Sequence, residues 1–140
     1  MEKRVPERVP KSVLSISYDS SLATTRQMLL EQAGYTVTSA FGFLQAMERC
    51  HSSEYDIVLM GHSIPRSEKS ALVTVIRQHC DAPILSIRVQ GDPPLTEADY
   101  SVQADEGPTI LLAGIRAILE AREKKAAASV LPYAFKVSRN

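Results

Sequence analysis

The chain has no tryptophan, only two cysteines, no net charge and no long apolar run. Each absence removes a class of protein. A membrane-spanning helix needs about 20 predominantly apolar residues, and the densest block here, Ile57-Val58-Leu59-Met60, is far shorter. No membrane association is expected. Met1-Glu2-Lys3-Arg4 is charged but is followed by no apolar stretch, so it does not read as a secretory signal. Cys50 and Cys80 stand alone, without C-x-x-C or metal-ligand spacing, which leaves reduced thiols and a cytoplasmic setting as the expectation. No Gly-rich phosphate loop, G-x-S-x-G elbow or histidine–cysteine ligand pattern occurs, so nothing points to an enzyme.

The charge balance is sixteen Lys plus Arg against sixteen Asp plus Glu, which argues against a strongly basic nucleic-acid binder. The zero conceals a split. Residues 1–11 carry four basic and two acidic side chains, and residues 116–140 carry six and two. The body, 12–115, holds six basic and twelve acidic residues. At 140 residues the chain suits one domain with one core.

Arg4-Val5-Pro6 recurs as Arg8-Val9-Pro10, so residues 1–11 read as an extended tail. β-prone runs then alternate with helical stripes over 12–125. Val13–Ile16, Tyr35–Thr38, Ile57–Met60, Pro83–Ile87 and a weak Tyr100–Val102 are the expected strands. Asp19-Ser20-Ser21 is suited to cap a first helix whose apolar residues are Leu22, Met28, Leu29 and Ala33, stopped by Gly34. Phe43, Met47 and Cys50 mark a second helix; Leu72, Val75, Ile76 and His79 mark a third. Pro108 suits the first turn of the last helix, which carries Leu111, Leu112, Ile115, Ile118 and Leu119. This alternation predicts an α/β fold, a doubly wound parallel sheet covered on both faces, with any site beyond the carboxyl ends of the strands. Gly91-Asp92-Pro93-Pro94 leaves little room for a helix between strands four and five, which is expected to be shortened or lost. Residues 126–140 form a C-terminal apolar and basic tail, in which Val130-Leu131-Pro132-Tyr133-Ala134-Phe135 could mediate self-association.

The order of these pieces resembles a response-regulator receiver domain over about residues 12–120. The resemblance rests on Val13-Leu14-Ser15-Ile16, Glu31–Val37, Tyr55-Asp56-Ile57-Val58-Leu59-Met60 with Ile64-Pro65, Ala82-Pro83-Ile84-Leu85 and Gly114–Leu119. It implies a flavodoxin-like five-stranded sheet of order 2-1-3-4-5 and a role in two-component signalling. It also implies an acceptor aspartate after strand three and a Mg²⁺ site, since that hard cation prefers carboxylate oxygens. Placed on that pattern, Gly61 stands where the acceptor belongs, and Ser17 and Tyr18 stand for the acidic pair, with Asp19 next door. Arg88 replaces the switch hydroxyl, Ala104 the lysine and Asp105 the following proline.

The expectation is therefore a degenerate receiver, a protein-interaction module without aspartyl phosphorylation and with weak or absent Mg²⁺ binding. Arg88 is expected to act as a fixed cation within reach of Asp19 or Asp105. The Ala104–Asp105 bond is expected to be trans, because a non-proline cis bond costs about 3 kcal/mol. Two alternatives stand beside this reading: a response regulator modified at His62 or Ser63, and a flavodoxin-like small-molecule binder. The second lacks a phosphate loop, and Met60 stands where a cobalamin loop built on His62 would carry aspartate.

Overall fold

The computed structural model describes residues 10–129, with side chains through residue 126. Five strands, β1 (Ser12–Ser17), β2 (Thr36–Phe41), β3 (Ile57–Met60), β4 (Ile84–Arg88) and β5 (Tyr100–Gln103), form one parallel sheet ordered β2-β1-β3-β4-β5. Four helices connect or follow them: α1 (Ser20–Gln32), α2 (Gly42–Ser52), α3 (Arg66–His79) and α4 (Pro108–Ser129). This is the doubly wound parallel sheet that the alternation predicted, in the flavodoxin-like strand order that the resemblance implied.

Side-chain alternation along the strands divides the interior into two layers. Leu14, Ile16, Val58, Met60 and Ile84 face α2 and α3, meeting Ala46, Cys50, Leu72, Val73 and Ile76. Val13, Ile57, Leu59, Leu85 and Ile87 face α1 and α4, meeting Leu30, Leu111, Ile115, Ile118 and Leu119. All four residues of β3 are fully buried, so it is the centre of both layers. Each such side chain contributes about 1.5–3 kcal/mol through removal from water.

The helix ends follow their local chemistry. Asp19 caps α1, its Oδ1 accepting from Leu22 N at 3.0 Å. Gly34 follows the end of α1 at φ 98°, a conformation that costs glycine nothing. The buried face of α1 differs from the expected one. Met28 is 57% exposed, whereas Ala23, Arg26 and Leu30 turn inward. The spacing i, i+3, i+7 joins those three on one side, and Met28 falls off that side. His79, expected on the inner stripe of α3, is exposed instead. At the C-terminus, α4 continues through Ser129, so the first four residues of the expected tail are helical. Val130–Phe135 and residues 1–9 lie outside the described residues.

No helix separates β4 from β5. Leu95 and Ala98 pack on the α2/α3 layer in its place, Leu95 only 5% exposed. The connecting strap is tied to one face of α3. Arg66 Nη1 donates to Pro94 O (3.3 Å), Ser70 Oγ to Glu97 Oε2 (2.9 Å), and Arg77 to Glu97 O and Asp99 Oδ2 (3.0 Å each). Positions 66, 70 and 77 share a side of the helix, so a short irregular segment covers surface that a helix would otherwise cover.

Candidate functional site

The carboxyl ends of β1, β3, β4 and β5 bring together the positions singled out in the sequence. Gly61 N donates to Ile16 O at 2.9 Å, extending the β1–β3 ladder by one residue. A Cβ at Gly61 would lie 3.0 Å from that same carbonyl oxygen, 3.3 Å from Arg26 Nη1 and 3.7 Å from Ser17 Cα. Glycine is needed here for close approach. Gly61 shares the α1/α4 side of the sheet with Ile57, by alternation along the strand.

Arg26 is the residue that sequence reasoning missed. It is 7% exposed, and its Nη1 is buried with no hydrogen-bond partner. Burial alone weakens its hold on its proton. A guanidinium nevertheless stays charged in a protein, so the space beside Gly61 holds a permanent cation. The signal available in the sequence was its i, i+3, i+7 relation to Ala23 and Leu30. A charged residue in that stripe does not mark it as a buried face.

Ser17, Tyr18 and Asp19 are engaged in local structure. Ser17 Oγ donates to Asp19 O (3.0 Å), accepts from Asp19 N (3.1 Å) and lies 3.4 Å from Ser63 Oγ. Ser63 Oγ accepts from Tyr18 N at 2.9 Å, tying the β3–α3 loop to the β1–α1 loop. Tyr18 Oη donates to Glu68 Oε1 at 2.5 Å. Burial, and then the carboxylate of Glu68, hold the Tyr18 phenol well above its ordinary pKa. The Asp19 carboxylate is the α1 cap. His62 is half-buried in the same loop.

Arg88 does not pair with Asp19 or Asp105. Its Nη2 donates to Asp92 O at 2.7 Å, and its Nε is buried without a partner. The reason is a tight turn after β4. Asp92 N donates to Val89 O (3.0 Å), Val89 N donates to Asp92 Oδ2 (3.0 Å), and Gly91 takes φ 95°. The turn folds the Asp92 carbonyl back over the strand end. Alternation also puts Arg88 on the α3 side with Ile84, away from Gly61 and Arg26. Ala104 packs against the α1/α4 layer and begins a 3₁₀ turn, Ala104–Glu106. The Ala104–Asp105 bond is trans, as expected. Asp105 Oδ1 accepts from Gln103 Nε2 at 3.3 Å.

Two clefts lie elsewhere, at the amino ends of the strands. One, of about 680 Å³, is lined by Ser12, Asp56, Arg77, Cys80, Asp81 and Arg122 among others. Another, of about 580 Å³, runs between Tyr100 and α4 past Ile118 and Arg122. Arg122 Nη1 donates to Asp56 O (3.0 Å) and its Nη2 to Asp81 Oδ1 (3.2 Å); Asp56 Oδ2 accepts from Ser12 N (2.8 Å). Nearby, the His51 and His79 rings lie 4.0 Å apart, next in sequence to Cys50 and Cys80. Among the described residues no group of three or more His, Cys, Asp or Glu is arranged to hold a metal ion. These clefts are bordered by satisfied ion pairs, whereas at the strand ends Arg26 Nη1 and Arg88 Nε are buried without a partner.

Solved structures resemble the fold closely. A CheY-like response regulator receiver domain protein from Methanospirillum hungatei JF-1 matches with a TM-score of 0.73 and 19% identity, covering 84% of this chain and 99% of that one. A two-component response regulator from Clostridium difficile gives 0.69 and 20% identity over 79% of this chain and 96% of that one. The signal receiver domain of a putative Luxo repressor protein from Vibrio parahaemolyticus gives 0.73 and 12% identity over 86% and 98%. No family model and no curated protein matches the sequence. The chain thus has the fold of a response-regulator receiver domain. Among the described residues no helix is long and apolar enough to cross a membrane.

Proposed function

We propose that this chain is a receiver-type signalling module that works through protein–protein contact and is not switched by aspartyl phosphorylation. The observation that carries this reading is the pairing of Gly61 with Arg26. The position that would present an acceptor carboxylate has no side chain, and a guanidinium nitrogen lies 3.3 Å from where its Cβ would be. A receiver must gather carboxylates around Mg²⁺ to neutralise the transferring phosphoryl group. Here the same end of the sheet offers two serine hydroxyls, a capping aspartate already bonded to Leu22 N, and a buried cation. That donor set does not suit Mg²⁺. Arg26 supplies without modification a positive charge beside the β1 and β3 ends, which favours one arrangement of the loops joined by Ser63. Ser63 is already bonded to Tyr18 N, which weighs against its modification. A cytoplasmic protein partner fits this reading.

The test is incubation with acetyl phosphate and Mg²⁺, followed by intact mass, together with a beryllofluoride titration monitored by amide shifts. The expected outcome is no phosphoryl adduct and no saturable shift at Gly61 or Ser63. A stoichiometric adduct at any residue of the β1–α1 or β3–α3 loop would overturn the proposal.

A further inference from the structure

Tyr100 opens β5, the edge strand paired on one side with β4, and is 45% exposed. Val102 packs in the α1/α4 layer, so alternation puts Tyr100 on the side of the sheet that carries α4. The cleft of about 580 Å³ runs between the two, and its apolar lining is Pro83, Tyr100, Ile118, Ala121 and Ala126. Four charged side chains that border it are already matched: Arg77 meets Asp99, and Arg122 meets Asp81. A cleft with apolar walls and paired charges suits apolar side chains better than an ionic ligand.

The same cleft runs along the end of α4. Lys125 and Ala126 line it, and the helix is described through Ser129. The next six residues, Val130-Leu131-Pro132-Tyr133-Ala134-Phe135, are all apolar or aromatic and lie outside the described residues. Pro132 has no N–H to extend a helical ladder, and it disfavours helical backbone at Leu131. Ser129 stands about 10 Å along the helix axis beyond Arg122. Six extended residues span up to about 20 Å. A chain that reverses near Pro132 therefore has length enough to lay Tyr133 and Phe135 beside Ala126 and Ala121. Lys136 would then follow near Asp81, whose side chain is 97% exposed.

We propose that Val130–Phe135 folds back into the cleft between Tyr100 and α4 of its own chain, with Tyr133 and Phe135 as the side chains that fill it. An aromatic side chain buries about 150–250 Å², and burial here also covers Tyr100. The tether favours this occupant over a second copy. A segment joined by a few residues is present at about millimolar effective concentration, whereas a free partner loses translational and rotational freedom on binding. The inference concerns the amino ends of the strands and does not rest on the reading of Gly61.

The test uses the full chain with ¹³C-labelled methyl groups and aromatic rings, observed by NMR at a high and a low concentration. The expected result is NOEs from the Tyr133 and Phe135 rings to the Ala121 or Ile118 methyl groups or the Tyr100 ring. They should persist on dilution and be absent between labelled and unlabelled copies in a mixed sample. The Tyr133→Ala/Phe135→Ala variant should lose them and lower Tm by about 4–8 °C. Ala121 is exposed in the cleft, so Ala121→Gln tests the other wall without touching the core. It should lower Tm in the full chain and leave it unchanged in the Tyr133→Ala/Phe135→Ala background, a non-additivity that an effect on α4 alone would not give. Contacts found only between labelled and unlabelled copies would assign the segment to a second copy and overturn the proposal. So would the lack of any contact to the cleft, or additive effects of the two sets of substitutions.

Discussion

The two ends of the sheet treat charge in opposite ways. At the amino ends, Arg122 meets Asp56 and Asp81, and Arg77 meets Asp99, all within 4 Å. At the carboxyl ends, Arg26 Nη1 is buried without a partner, and Arg88 has a carbonyl for Nη2 and nothing for Nε. Both ends belong to one sheet and obey the same folding constraints, so the difference is local. Paired cations at the amino end are half-exposed and serve to fasten loops. The unpartnered guanidinium nitrogens at the carboxyl end are buried, where they oppose stability, and that is the end at which a doubly wound sheet presents its site.

The comparison breaks most sharply at Arg26. Arg26→Met should raise stability by about 1–4 kcal/mol in urea unfolding, because it removes a buried cation with no counter-charge. A loss of stability would mean that the guanidinium is holding the strand ends together. Gly61→Ala should cost about 1–3 kcal/mol, since its methyl group would press on Ile16 O and Arg26 Nη1. Gly61→Asp should be better tolerated than that in the Arg26 protein and worse in Arg26→Met, a coupling that a double-mutant cycle reads directly.

At the other end the signs reverse. Asp99→Ala should destabilise by about 1–2 kcal/mol, because it orphans the Ile84 amide (2.8 Å) and leaves Arg77 only the Glu97 carbonyl. Alkaline titration separates the ends by pH. Burial, with some help from Cys80, pushes the Cys50 thiol from its ordinary 9.0 to about 11. Its contribution is complete below pH 9 and is lost as pH rises toward 11, because the unfolded chain releases that proton first. Tyr18 at the carboxyl end adds a second loss that starts above its ordinary 10.0. Cys50→Ala should remove the earlier loss and Tyr18→Phe the later one, both read as unfolding midpoint against pH. The smallest effect is expected at Asp81, whose side chain is 97% exposed: Asp81→Asn should shift stability by less than about 0.5 kcal/mol.

Much of the fold was legible because burial patterns are periodic. Ile57-Val58-Leu59-Met60 reads as a strand covered on both faces, and Asp19, Gly34 and Pro108 each took the end position their chemistry favours. The missing helix after β4 was equally visible in Gly91-Asp92-Pro93-Pro94. The site was legible only as a set of absences. That Gly61 lacks a side chain is a sequence fact; that Arg26 fills the space beside it is not, because the two residues sit 35 positions apart on different elements. Arg88 was correctly placed at the end of β4 but given the wrong partner, since the Val89–Asp92 turn sets where a carbonyl is offered.

By itself the sequence determined the strand–helix alternation, the two-sided burial of the sheet and the glycine that follows β3. Those properties are local and repeat along the chain. Only the tertiary structure decided which cations stand together and which are left unpaired. The acidic body of twelve carboxylates and six bases gave no hint that Arg26 lies beside Gly61 while Arg88 turns to the Asp92 carbonyl. Electrostatic energy depends on separation and burial, and in a parallel sheet the crossovers set both by bringing together residues that are far apart in the chain.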